Sequence, residues 1–162
     1  MHSKNINELS GRRKKGSIMI VVRSNMANNA LSTCADPTGI DRWNYVNVTN
    51  GNNKIRLIAA YQSARYETTL GIVYLQRLLC VRSNKITMCP RQIFITHLLK
   101  LITDSIILNF QIKLEICANE HMVEGKLEKE LCALGLVEAC FSKFQTTIPA
   151  SHCCGQNQIH EV

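Results

Sequence analysis

No apolar run in this 162-residue chain reaches the roughly 18–20 residues that a membrane-spanning helix needs. The best candidate, from Ile18 to Val22, has only the length of a strand. Arg12, Arg13, Lys14 and Lys15 precede it as the charged end of a signal peptide would. The run is nevertheless too short for a signal core, and no small-residue cleavage site follows it. The expectation is an intracellular protein with no membrane partner. No CxxC pair occurs among the cysteines, which leaves a structural zinc module without its usual ligand spacing. Internal repeats and low-complexity tracts are lacking too, which argues against solenoid and tract-like architectures.

What is present is the composition of an ordinary globular domain. The chain is 46% hydrophobic and 19% charged, enough apolar material for one buried core. Its net charge of +7 is uneven: residues 1–23 hold six Lys/Arg against the single acid Glu8. A basic end of this kind attracts phosphate backbones through counterion release, although a solvated tail is its plainest reading. The eight cysteines invite pairing, but nothing marks the chain as secreted, and several sit at apolar positions, where cysteine packs as a small hydrophobe. His152, Cys153, Cys154 and His160 could offer soft ligands, but adjacent cysteines in extended chain point apart.

The periodicity predicts a series of elements. Residues 17–23 (SIMIVVR) read as a buried strand. Asp36-Pro37-Thr38-Gly39 reads as a turn. Residues 42–49 and 54–61 alternate about an Asn-Gly turn and predict an antiparallel hairpin. Apolar spacing then turns helical over 70–80 and 91–104, with Pro90 at the first-turn position. Residues 111–118 alternate as a half-buried strand, 124–134 form an amphipathic helix closed by Gly135, and 136–141 return to strand character. This order predicts an α+β or layered fold, not a regular βαβ alternation.

Four segments in this order resemble the endonuclease/exonuclease/phosphatase superfamily, the DNase I-like fold, as found in retroelement-type proteins. They are DPTGIDRW (Asp36 to Trp43) with IRLIAAY ending at Tyr61; YLQRLL and CPRQIF; QIKLEICANE (Gln111 to Glu120); and LGLVEA followed by PASHCCGQNQIHEV. The resemblance implies a partial four-layer α/β sandwich, two antiparallel-rich sheets packed face to face and flanked by helices. It spans 16–162, with 1–15 as a separate basic segment. It also implies divalent-metal phosphodiester cleavage with magnesium as cofactor, a hard ion that takes oxygen ligands.

Residue by residue, the resemblance makes Tyr61 the active-site tyrosine, although Gln62 replaces the proline that follows it in the family. Asn119 matches the family's asparagine, and Glu120 beside it is the candidate metal ligand. Cys117 and His160 stand where the family has aspartates. The family's opening asparagine and glutamate and its closing Ser-Asp-His segment have no match. The expectation is therefore an endonuclease-type domain from a mobile element with lost or impaired catalysis. Its contact with nucleic acid would be non-specific, through Arg12, Arg13, Lys14 and Lys15. The alternative is a non-enzymatic basic remnant. Without the resemblance, Asn119 reads as a helix cap and Cys117 as a packing residue.

Overall fold

The computed structural model describes residues 18–38, 41–63, 89–118 and 125–139. Its elements are α1 (Asn25–Asn28), β1 (Ala30–Ala35), β2 (Trp43–Asn50), β3 (Asn53–Tyr61), α2 (Pro90–Ile107), β4 (Phe110–Cys117) and α3 (Lys126–Ala133). The class is α+β. The strands form one four-stranded sheet in the order β1-β2-β3-β4. β1/β2 and β2/β3 are antiparallel, whereas β3/β4 is parallel. A parallel pair needs a crossover to carry the chain back, and α2 lies within it.

The β2–β3 hairpin is built as the alternation predicts, with its turn over Asn50–Asn53 as the sequence places it. Asn50 pairs with Asn53, so Gly51 and Asn52 are the central residues. Gly51 takes φ +60°. A glycine first in a two-residue loop supplies the left-handed backbone that type II′ turns require. α2 starts where Pro90 needs no N–H partner. α3 ends in a Schellman motif: the Gly135 N–H bonds the Cys132 carbonyl and the Leu136 N–H bonds the Leu131 carbonyl.

Cross-strand partners share a face, and alternate residues take opposite faces. One face carries Trp43, Tyr45, Asn47, Arg56, Ile58, Ala60, Ile112, Leu114 and Ile116. Ile93, Phe94, Leu98 and Ile102 of α2, with Leu127 and Leu131 of α3, close over it and form the core. Full burial of a side chain such as Leu98 contributes about 1.5–3 kcal/mol. The other face carries Val46, Val48, Ile55, Leu57, Ala59, Tyr61, Lys113, Glu115 and Cys117. Val46, Val48 and Ala59 are buried there as well.

Two expectations are corrected. Residues 18–23 are not a strand: Ile18, Ile20 and Val22 are half-buried while Met19 and Val21 are exposed. The segment is one-sided, and a side-chain bond from Asn44 Nδ2 to the Ile18 carbonyl (2.9 Å) ties down its start. β1 takes the edge position instead, with all six residues exposed. Residues 136–138 form no strand, because the Leu136 N–H is already committed to closing α3. The helix expected over 70–80 lies outside the described residues.

Candidate functional site

β3 and β4 end together. Tyr61 is the last residue of β3, Cys117 the last of β4, and the two are register partners. Neighbouring strands lie about 4.8 Å apart, so the two side chains stand next to each other. Both project from the face opposite the helices, and both are half-buried. The Gln62 N–H donates to the Cys117 carbonyl at 2.9 Å, which carries the pairing one step past the strands. Gln62 and Ser63 are then buried beneath the start of α2. Arg91, in the first turn of that helix, donates to Gln62 Oε1 at 2.8 Å and to the Ser63 carbonyl. The first turn of the long helix is thereby fastened to the strand end that presents Tyr61.

A second set of polar residues sits beside this end, at the entrance to β2. Asp36 and Arg42 are both buried and form an ion pair, Arg42 Nε to Asp36 Oδ2 at 2.7 Å. Thr38 closes the loop by donating from its hydroxyl (2.7 Å) and its backbone N–H (3.0 Å) to Asp36 Oδ1. Burial alone would raise the Asp36 pKa. The hydrogen bonds from Arg42 and Thr38, with the charge of Arg42, outweigh it and hold the carboxyl below its ordinary value. Arg42 Nη2 also reaches His97 Nδ1 of α2 at 3.0 Å, and its guanidinium lies over the Trp43 ring. The Tyr61 N–H donates to the Arg42 carbonyl at 2.9 Å, so this cluster and the Tyr61–Cys117 pair are joined through one peptide.

Of the residues singled out from sequence, Tyr61 and Cys117 are brought together. Asn119, Glu120 and His160, the basic residues Arg12, Arg13, Lys14 and Lys15, and the group His152, Cys153 and Cys154 all lie outside the described residues. Asp36, Arg42, His97 and Arg91 were missed. The Asp-Pro-Thr-Gly run signals a turn, but nothing local says that its aspartate is buried against an arginine.

The described oxygen donors at this end do not assemble a magnesium set. Both oxygens of Asp36 are taken by Arg42 and Thr38. Glu115 is exposed two positions before the strand end, and Cys117 offers soft sulfur where a hard ion needs oxygen. Among the described residues no group of three or more His, Cys, Asp or Glu side chains could hold a metal ion. Cys34, Cys89 and Cys132 are free thiols, and no helix among the described residues is long and apolar enough to cross a membrane. No family model, curated protein or solved structure matches this chain.

Proposed function

We propose that this chain descends from the endonuclease/exonuclease/phosphatase superfamily, that its phosphodiester cleavage is lost or impaired, and that what remains is a basic domain with weak, non-specific affinity for nucleic acid. One observation carries the reading. Tyr61 and Cys117, the tyrosine position and the aspartate position of the resemblance, are register partners at the carboxyl ends of parallel neighbours. Two positions far apart in sequence meet side by side, as a shared active site requires. The face opposite the helices supports the layered form of the fold. Val46, Val48, Ile55, Leu57 and Ala59 give it an apolar centre suited to a second sheet. On this reading the described sheet and helices are two layers of four.

Chemistry argues for the loss. In-line hydrolysis of a phosphodiester needs a metal to neutralise developing charge and a group to orient the attacking water. Magnesium, when bound in such a site, supplies the charge. A thiol at Cys117 offers soft sulfur where a hard ion and an oxygen base are needed, and is a poor partner for either task. The test is nicking of supercoiled plasmid by the full chain with magnesium, with and without chelator. No metal-dependent cleavage is expected, and none from Cys117→Asp alone, because one carboxylate does not make a ligand set. Chelator-sensitive nicking by the unaltered chain that is lost in Asn119→Ala would overturn the proposal.

A further inference from the structure

The tip of the β2–β3 hairpin holds the chain's one Asn-Gly pair, Asn50 and Gly51. Asparagine is chemically labile where the backbone nitrogen of the next residue can reach its side-chain amide carbon. Glycine is the most permissive neighbour, because it has no Cβ to shield that nitrogen or limit the approach. A Cβ built on Gly51 would meet nothing within 4 Å, and Asn50, Gly51, Asn52 and Asn53 are all exposed. In a two-residue loop the closing ladder bonds belong to the flanking pair, Asn50 and Asn53, and the Gly51 N–H takes no part in them. The other asparagines of β2 are held at their side chains. Asn47 is buried, with Nδ2 on Ser32 Oγ (2.9 Å) and Oδ1 accepting from Arg56 Nε (2.8 Å), and Asn44 Nδ2 donates to the Ile18 carbonyl.

We propose that Asn50 is a self-modification site, at which the Gly51 nitrogen displaces the side-chain amide as ammonia. The bond from the Gly51 nitrogen to Asn50 Cγ forms, the Cγ–Nδ2 bond breaks, and the proton of the Gly51 amide leaves with the ammonia. Water then opens the resulting cyclic imide at either carbonyl and leaves aspartate or isoaspartate at position 50. Ring closure requires the last rung of the hairpin, Asn50 with Asn53, to open first. That rung is solvated and has no further rung on its turn side, so it belongs to the least stable part of the ladder. Both products put a carboxylate where a neutral amide stood, which takes one unit from the net charge of +7. Isoaspartate also adds a backbone carbon to a loop whose length fixes the pairing of β2 with β3. The Thr49–Lys54 and Val48–Ile55 rungs loosen next, and beyond them Asn47–Arg56, where the buried arginine is held. The modification ages the hairpin from its tip while the strand end at Tyr61 stays in register.

Trypsin cuts after Arg42 and Lys54 and releases residues 43–54 as one peptide that carries five asparagines, so they compete within a single measurement. After incubation of the full chain at pH 8 and physiological temperature, mass spectrometry of that peptide should show Asn50 converted first, as separable aspartyl and isoaspartyl forms. Conversion should be slower at pH 6, because the attacking nitrogen must lose its proton. Asn50→Gln, whose longer side chain disfavours ring closure, should leave the peptide unmodified. Hydrogen exchange of the aged protein should lose protection at Asn50 and Asn53 before Trp43 and Ala60. The chain unfolded in guanidinium chloride gives the unrestrained rate, which the native chain should approach from below, and this comparison stands even if the variant fails to fold. Conversion led by another of the five asparagines, or Asn50 still intact in the native chain once the unfolded chain has reacted fully, would overturn the proposal.

Discussion

Two arginines are buried among the described residues, and they are kept there by different means. Arg42 is 2% exposed and rests against a carboxylate, with Asp36 accepting from Nε at 2.7 Å. Arg56 is 5% exposed and has no carboxylate among the described residues. Its guanidinium lies between the Tyr45 and Phe110 rings at 4.2 and 4.3 Å. It donates to Asn47 Oδ1 at 2.8 Å and to Ser105 Oγ at 2.7 Å, in the last turn of α2. A helix carboxyl end carries partial negative charge and aromatic faces attract cations, so Arg56 is compensated by dipoles and quadrupoles where Arg42 is compensated by an ion. The two sites also sit at opposite ends of the sheet, Arg42 beside Tyr61 and Arg56 towards the hairpin turn. An ion pair makes each partner depend on the other, whereas a stack spreads the dependence over several neutral groups.

The largest expected effect follows from that dependence. Asp36→Ala leaves the guanidinium of Arg42 buried beside His97 with its anion gone. Removing one member of a buried pair costs about 3–5 kcal/mol. Urea unfolding should show this loss, and Asp36→Ala combined with Arg42→Met should cost less than the two changes summed. Strict additivity would mean that the pair is not coupled.

Arg56→Met should cost less, about 1–2 kcal/mol. It removes a cation that leaves no opposite charge stranded and forfeits two hydrogen bonds to neutral acceptors. Arg56→Lys should be at least as damaging, because an ammonium neither stacks flat between two rings nor forks to Asn47 and Ser105. Chemical denaturation of the three proteins checks the order. A loss at Arg56→Met equal to that at Asp36→Ala would erase the distinction between the two sites.

Smallest is the response to acid. The Asp36 carboxyl is held below its ordinary value. A depressed carboxyl contributes stability that is complete above its unfolded pKa, near 3.9, and is lost as pH falls through the lower folded value. Asp36→Asn lacks this dependence. The gap in urea midpoint between the unaltered chain and Asp36→Asn should therefore narrow from pH 6 to pH 3. A constant gap would remove the charge of Asp36 from the account. Arg56, with no carboxylate partner among the described residues, should show no such change on replacement over this range.

How much of this was legible in the sequence depends on how local the cause is. The β2–β3 hairpin, α2 beginning at Pro90, β4 alternating through Ile112, Leu114 and Ile116, and α3 ending at Gly135 all have causes within a few residues of their effects. β1 was invisible for the opposite reason. Its residues face solvent on both sides, so ALSTCA carries no alternation to read. The run from Ile18 to Val22 has strand-like composition, but no ladder partner lies beside it among the described residues. Neither the parallel pairing of β3 with β4 nor the reach of Arg42 to His97 leaves a mark in nearby residues. Tyr61 and Cys117 could be singled out only through resemblance, and their meeting is a product of the register.

That register makes the domain unforgiving of changes in length. Side chains alternate with period two, so deleting or inserting a single residue within Phe110–Cys117 turns everything on one side of the change to the opposite face. Ile112 and Leu114 would trade places with Lys113, which would bring an ammonium towards Phe94 and Leu98, or else Cys117 would turn away from Tyr61 and under the helices. Point substitutions can therefore accumulate at the strand ends while the strand itself tolerates no slip. Among related sequences, the spacing from Asn53 to Tyr61 and from Phe110 to Cys117 should outlast the identity of the residues at their tips.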